Sequence, residues 1–304
     1  MNERELLAAV DRLTHRDPRT LECGEPGHPA GHVCLSTSGG PRLPCLLDAV
    51  GERYGRPRSL VRRGRSAPTL SERTGLPLLA PFGEHVAEMY AWAYGTWWIG
   101  CGIIAADDGM RLVVLVARRA APALEELTRD ATWVDRVVFV TGQDRELTHT
   151  VGWHTAEAWL GTGLPSDYKQ LVQIFGCGSF DGYLDMFLPN GPQGSLDIVD
   201  HALSMASWDD DEDGNTLWAP HRLFPAPGGL LQWAGSERED SFYWLTEGAD
   251  PDRWPIMVTK DDYSGWIRFD GSTAEFIFRL LTDPRHPYST ARYFDAHWFM
   301  SYGQ

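Results

Sequence analysis

Long apolar runs are missing from this sequence. The longest nearly apolar stretch, Gly95–Ala106, has 12 residues, against roughly 20 for a helix that spans a bilayer. Cysteine is scarce as well: five in 304 residues, an odd and sparse set that speaks against a disulfide framework. Neither does the opening look like a signal peptide. Asn2-Glu3-Arg4-Glu5 is charged and leads into an amphipathic helix with Leu6, Leu7, Val10 and Leu13 on one face. The expectation is a cytoplasmic protein with no membrane contact. Several signatures of chemistry are absent too: there is no phosphate-binding GK[ST], no G-x-S-x-G nucleophile elbow and no H-E-x-x-H zinc helix.

Positive charge is what the second half lacks most. Residues 151–304 hold 9 Lys plus Arg against 23 Asp plus Glu, a net of −14 out of the chain's −15. Residues 1–150 hold 18 Arg, no Lys and 19 acidic residues, and so are nearly balanced. Concentrated like charge does not help folding, because it repels itself in the compact state, but it attracts basic partners and speeds their encounter. It also keeps a protein dispersed, which is the plainer explanation.

What is present is ample apolar material, 43% of residues with 13 Trp and 12 Phe, so the chain has enough to bury and is not disordered. Its length suits two domains of ordinary size. In the first, a loop-rich region over 17–77 carries a basic run from Arg56 to Arg65. A helix follows over 84–94, then two strands, Trp97–Ala105 and Met110–Ala117, about the turn Asp107-Asp108-Gly109. A helix over 122–129 and a strand over 136–141 complete it. Apolar periodicity lapses through Gln143-Asp144-Arg145-Glu146 and resumes at Trp153. The domains expected are therefore 1–148 and 149–304.

In the second half, Tyr168, Leu171, Val172 and Phe175 form one helical face, with Ser166 ahead of it and Gly176 after it. Ser195 can cap a second helix with Leu196, Val199, Leu203 and Ala206 in register. Strands are expected over 230–233, 241–245, 256–260 and 265–269, the last two as an antiparallel hairpin. Ser272 and Glu275 make a capping box for a closing helix with Phe276, Ile277, Leu280 and Leu281 inward. Strands in succession flanked by helices give an α+β fold in two domains, the second a twisted antiparallel sheet flanked by helices.

Four motifs need testing against ordinary structure. Asp209, Asp211, Asp213 and Gly214 match the first half of a calcium loop, but the twelfth position is Pro220 where a bidentate Glu should stand. The run is a solvated acidic loop. Cys23, His28, His32 and Cys34 lie within twelve residues and are zinc-type donors. Their spacing, C-x4-H-x3-H-x-C, fits no common zinc frame, so they read as turn residues and neither a metal nor a cofactor is expected. Gly176-Cys177-Gly178-Ser179-Phe180-Asp181-Gly182 follows a helix rather than a strand and cannot cradle a dinucleotide phosphate as the Rossmann loop does. Arg56, Arg58, Arg62, Arg63 and Arg65 lack interleaved aromatics beyond Tyr54, and the acidic half would repel nucleic acid. No catalytic constellation emerges.

The second half resembles the SUKH superfamily over about residues 151–284. The matching residues are Trp159-Leu160-Gly161, Leu164-Pro165 and Tyr168-Lys169, then Gly176-Cys177-Gly178 and Leu188-Pro189. They continue with Phe242-Tyr243-Trp244, Asp250-Pro251, Trp254-Pro255-Ile256 and Phe269-Asp270-Gly271-Ser272. That family includes a yeast cell-wall-synthesis regulator and many bacterial immunity proteins against polymorphic toxins. The resemblance implies a non-catalytic protein that binds and neutralises a cognate toxin, a basic nuclease or nucleic-acid deaminase. A scaffold or regulatory interaction module is the alternative. The partner expected is thus a basic protein and not a nucleic acid. The surface expected to meet it comprises Trp208, Asp209, Asp210, Asp211, Glu212 and Asp213, with Glu237, Glu239, Asp240, Asp261, Asp262 and Tyr263, all in segments that read as exposed loops.

Overall fold

A computed structural model describes residues 2–15, 21–36, 42–55, 57–68, 70, 74–106, 109–143, 149–191, 194–207, 218–259 and 265–302. The fold is α+β, with two antiparallel sheets. The chain divides into two compact units, though not by a single cut. The first comprises Met1–Glu126, Val140–Asp144 and Phe294–Gly303, and the second comprises chiefly Leu127–Phe139 and Arg145–Tyr293.

In the first unit, α1 (Glu3–Thr14) starts at a capping box in which Asn2 and Glu5 exchange side-chain and backbone hydrogen bonds of 2.9 Å. The expected loop region contains a strand, a helix and a hairpin: β1 (His32–Ser36), α2 (Leu43–Tyr54), β2 (Arg58–Arg62) and β3 (Arg65–Ser66). Proline near the start of α2 and Gly55 at positive φ beyond its end are stop and start signals for a helix. The basic run therefore builds an edge hairpin, with Arg62 opposite Arg65.

The helix expected over 84–94 is instead the strand β4 (Val86–Tyr94). Tyr90, Trp92 and Tyr94 point to one face of the sheet and Met89, Ala91 and Ala93 to the other, a period of two that a helix cannot satisfy. A bulge between Val86 and Glu88 breaks the alternation at its start, which is why the apolar spacing imitates a helix. With β5 (Trp97–Ala106) and β6 (Gly109–Arg118) the sheet order is β1-β6-β5-β4-β2-β3. One face packs on α1 and α2 through Leu6, Val10, Leu46 and Val50, and the other on Leu78, Leu79 and Phe82.

Two further assignments also change. Residues 122–129 hold only a short 3-10 turn, Leu124–Glu126, and the expected strand over 136–141 belongs to the helix α3 (Trp133–Thr141). β-branched Val137, Val138 and Val140 favour a strand locally. The cap outweighs them: Thr132 and Asp135 bond reciprocally at 2.9 and 3.1 Å, and Trp133 lodges 5.6 Å from the ring of Phe278. Thr132→Ala is expected to cost about 1 kcal/mol with Thr132→Ser near neutral, as read by urea denaturation; equal stabilities for Ala and wild type would show that the cap does not hold the helix.

The second unit follows its sequence more closely. It contains α4 (Trp153–Leu160), α5 (Ser166–Phe175), β7 (Gly178–Phe180), β8 (Leu184–Met186) and α6 (Ile198–Ala206). Then come β9 (Leu230–Ser236), β10 (Ser241–Leu245), β11 (Ile256–Thr259), β12 (Trp266–Phe269) and α7 (Thr273–Thr282). The strands run β12-β11-β10-β9-β8-β7, and the expected hairpin pairs Thr259 with Trp266. Ser272 caps α7 as expected. Helix α6, however, is capped by Asp197, whose side chain accepts from Val199 and Asp200 amides, and α5 begins after Pro165 without a side-chain cap. Asp167 instead braces α7 by accepting from the Ala274 amide at 2.7 Å.

His286 is buried beside Phe276, with ring centroids 4.9 Å apart. Burial pushes its pKa down to about 4, partly countered by Asp283 and reinforced by Arg279 and Arg292. The unfolded chain therefore binds a proton near the usual value of about 6.5 that the folded one refuses. The neutral imidazole's contribution is complete above that value and is lost as pH falls from there towards 4. The stability of His286→Phe is expected to vary less with pH across that window than wild type, and equal slopes would refute it.

Candidate metal centre and acidic groove

The four zinc-type donors converge. His32 and Cys34 stand two residues apart on β1, so both side chains project from the same face of the strand. Pairing with Ala117 and Leu115 of β6 sets their register. The segment before β1 folds back over them. The Gly31 amide donates to the Leu21 carbonyl at 3.1 Å and the His28 amide to that of Glu25 at 3.4 Å. His28 Nδ1 then lies 3.4 Å from Cys23 Sγ, 3.2 Å from His32 Nε2 and 3.5 Å from Cys34 Sγ. All four donor atoms fall within 4.8 Å of one another. The His28 ring meets Phe82 edge-on at 5.4 Å. His32 is fully enclosed, and burial together with its neighbour His28 lowers its pKa, which favours the neutral, ligating imidazole. Burial and the adjacent Cys23 push the Cys34 thiol well up. Two of the four, then, are strand residues rather than turn residues, and the sequence signal for it was the x-H-x-C alternation at a strand period.

The expected acidic surface is placed only in part. Trp208, Asp209, Asp210, Asp211, Glu212, Asp213, Asp261, Asp262 and Tyr263 lie outside the described residues. Glu237 and Glu239 are exposed on the β9–β10 turn. Asp240 is not exposed, contrary to its expected place on an open loop. It is buried, accepting from Tyr183 Oη at 2.7 Å and Ser236 Oγ at 2.9 Å. A turn carboxylate next to a short hydroxyl donor closes the hairpin rather than facing solvent.

A groove of about 210 Å³ lies between α4 and α6, walled by Thr155, Ala156, Trp159, Asp200 and Leu203 among others. Trp159 is 69% exposed and Leu203 52% exposed, large apolar side chains left in water on facing helices. Both went unrecognised as contact residues. In α4 the inward positions are Ala156 and Leu160, and Trp159, three residues after Ala156, fits the same apolar stripe in sequence, so periodicity carries no signal of its exposure. Tyr168 and Lys169, adjacent in the sequence resemblance, have structural work instead. Tyr168 Oη donates to the Phe187 carbonyl at 2.5 Å, and Lys169 bonds Glu157 at 2.8 Å.

No family model, curated protein or solved structure matches the chain. Among the described residues, no helix is long and apolar enough to cross a membrane.

Proposed function

We propose that the chain is a non-catalytic immunity protein of the cytoplasm, SUKH-like in its second half, which binds and neutralises a basic toxin domain. The observation that carries this reading is the α4–α6 groove, where exposed Trp159 and Leu203 stand beside Asp200. Three residues after α6 ends at Ala206, the run Asp209-Asp210-Asp211-Glu212-Asp213 begins. An aromatic anchor within an acidic field is the arrangement a basic protein would fit, with the apolar centre supplying affinity and the charge supplying rate. Nine cations cannot neutralise 23 anions in residues 151–304, and several of the nine are already paired, Lys169 with Glu157, Arg268 with Glu247 and Asp270, and Arg279 with Glu275. A nuclease or nucleic-acid deaminase needs a basic cleft for its polyanionic substrate and is the partner class with matching charge.

The test takes the product of the neighbouring open reading frame, assays it for toxin activity, and measures its binding to this chain by surface plasmon resonance at several salt concentrations. A nanomolar complex is expected, with an association rate that falls steeply as salt rises and with toxin activity abolished at one equivalent. Weak binding to several unrelated proteins with no loss of toxin activity would leave a scaffold in its place.

A further inference from the structure

We infer that Cys23, His28, His32 and Cys34 bind one zinc ion in a closed four-coordinate site that fastens the segment ahead of β1 to the first sheet. Bond lengths give the first support. A tetrahedral zinc with Zn–S of about 2.3 Å and Zn–N of about 2.0–2.1 Å sets S···N edges of about 3.5 Å and an N···N edge of about 3.3 Å. The cluster shows S···N separations of 3.4 and 3.5 Å and an N···N separation of 3.2 Å. The three edges from His28 Nδ1 thus match a zinc coordination sphere, and the remaining donor pairs lie within 4.8 Å, a small closure from it.

Hydrogen bonding does not account for the same convergence. His28 Nδ1 is within reach of three donor atoms at once, yet one ring nitrogen carries either one proton or one lone pair and satisfies one of them. A cation at the centre satisfies all four. Two thiolates and two imidazoles are soft to borderline donors, which select zinc over magnesium or calcium.

The surroundings suit a structural ion. His32 and Cys34 are fixed by β-pairing, while Cys23 and His28 come from the segment ahead of β1, folded by the Gly31–Leu21 and His28–Glu25 backbone bonds. The ion adds a cross-link from Cys23 and His28 to β1, in the manner of a metal that contributes directly to folding. Four protein ligands leave no open position for water or substrate, so the centre performs no catalysis. It lies in the first unit and is independent of the toxin-binding reading, and its readout is metal content rather than partner binding.

The test begins with the full chain, incubated with zinc, freed of unbound metal by gel filtration and analysed by plasma mass spectrometry. One equivalent of zinc is expected. Cobalt loading should produce the visible bands of tetrahedral Co(II) with thiolate ligands. A strong chelator should lower the Tm by about 10 °C, and added zinc should restore it. Cys34→Ser and His28→Ala should lose the metal, whereas Cys45→Ser, an exposed cysteine on α2, should keep it. Where a ligand variant fails to fold, the zinc content and cobalt spectrum of the unaltered chain decide alone. Background zinc after incubation, an octahedral cobalt spectrum, or a metal-free protein with a Cys23–Cys34 disulfide would each overturn the site.

Discussion

Trp244→Ala is expected to destabilise the second unit by about 3–5 kcal/mol, the range for removing a large aromatic from a closed core. Trp244 is wholly buried on β10. It stacks on Trp233 at 5.7 Å with the rings 19° apart, and meets the Tyr168 ring edge-on at 4.8 Å. Its indole also donates to Thr273 Oγ1 at 3.0 Å, at the first residue of α7. Alanine would thus leave a cavity, two aromatic partners without their faces and a buried hydroxyl without its donor. Trp244→Phe keeps much of the volume and should cost less, mainly through the lost donor. Urea denaturation of both variants, with hydrogen exchange across β9–β11, measures it. A loss below about 1 kcal/mol for alanine would show that the core collapses around the gap.

The second large effect is kinetic. Reversing Asp210, Asp211 and Asp213 to Lys should leave the Tm nearly unchanged, because a run whose sequence reads as a solvated loop contributes only about 0–1 kcal/mol per ion pair. The same change should cut the association rate with the basic partner at least tenfold at low salt, through loss of steering. Trp159→Ala should behave differently. A desolvated aromatic anchor is worth about 2 kcal/mol or more, felt chiefly as faster dissociation, so the complex should dissociate about thirtyfold faster at an almost unchanged association rate. Stopped-flow kinetics on the two variants separates these contributions. If neither rate moves in either variant, the acidic bias serves solubility and the groove is not the contact.

The legible parts of the sequence were those governed by near neighbours. The cap Ser272–Glu275 and the hairpin 256–269 are specified within a few residues, and both are where the sequence puts them. The misread parts depend on distant partners. Residues 84–94 carry apolar spacing that suits either period, and only pairing with β5 along nearly its whole length makes them a strand. Residues 136–141 look like a strand until Thr132 and Trp133 are seen holding a helix to α7. The zinc-type cluster was visible as residue types but not as a site. Its ligands come half from a strand and half from a fold-back, and that geometry has no fixed spacing. Trp159 before Leu160-Gly161 suggests a core residue, and only its exposure shows otherwise.

The brace at Asp240 has a consequence for recognition. Its carboxylate accepts from Tyr183 and Ser236, while its amide donates to Ser236 Oγ at 3.0 Å and its carbonyl accepts from the Ser236 amide at 2.9 Å. Glu239 sits beside it in a left-handed conformation, φ 66°. A turn tied at so many points has already surrendered its conformational entropy on folding, so Glu237 and Glu239 present their charges from a fixed platform. Any ligand that meets them there is spared the ordering cost that a mobile acidic loop would impose.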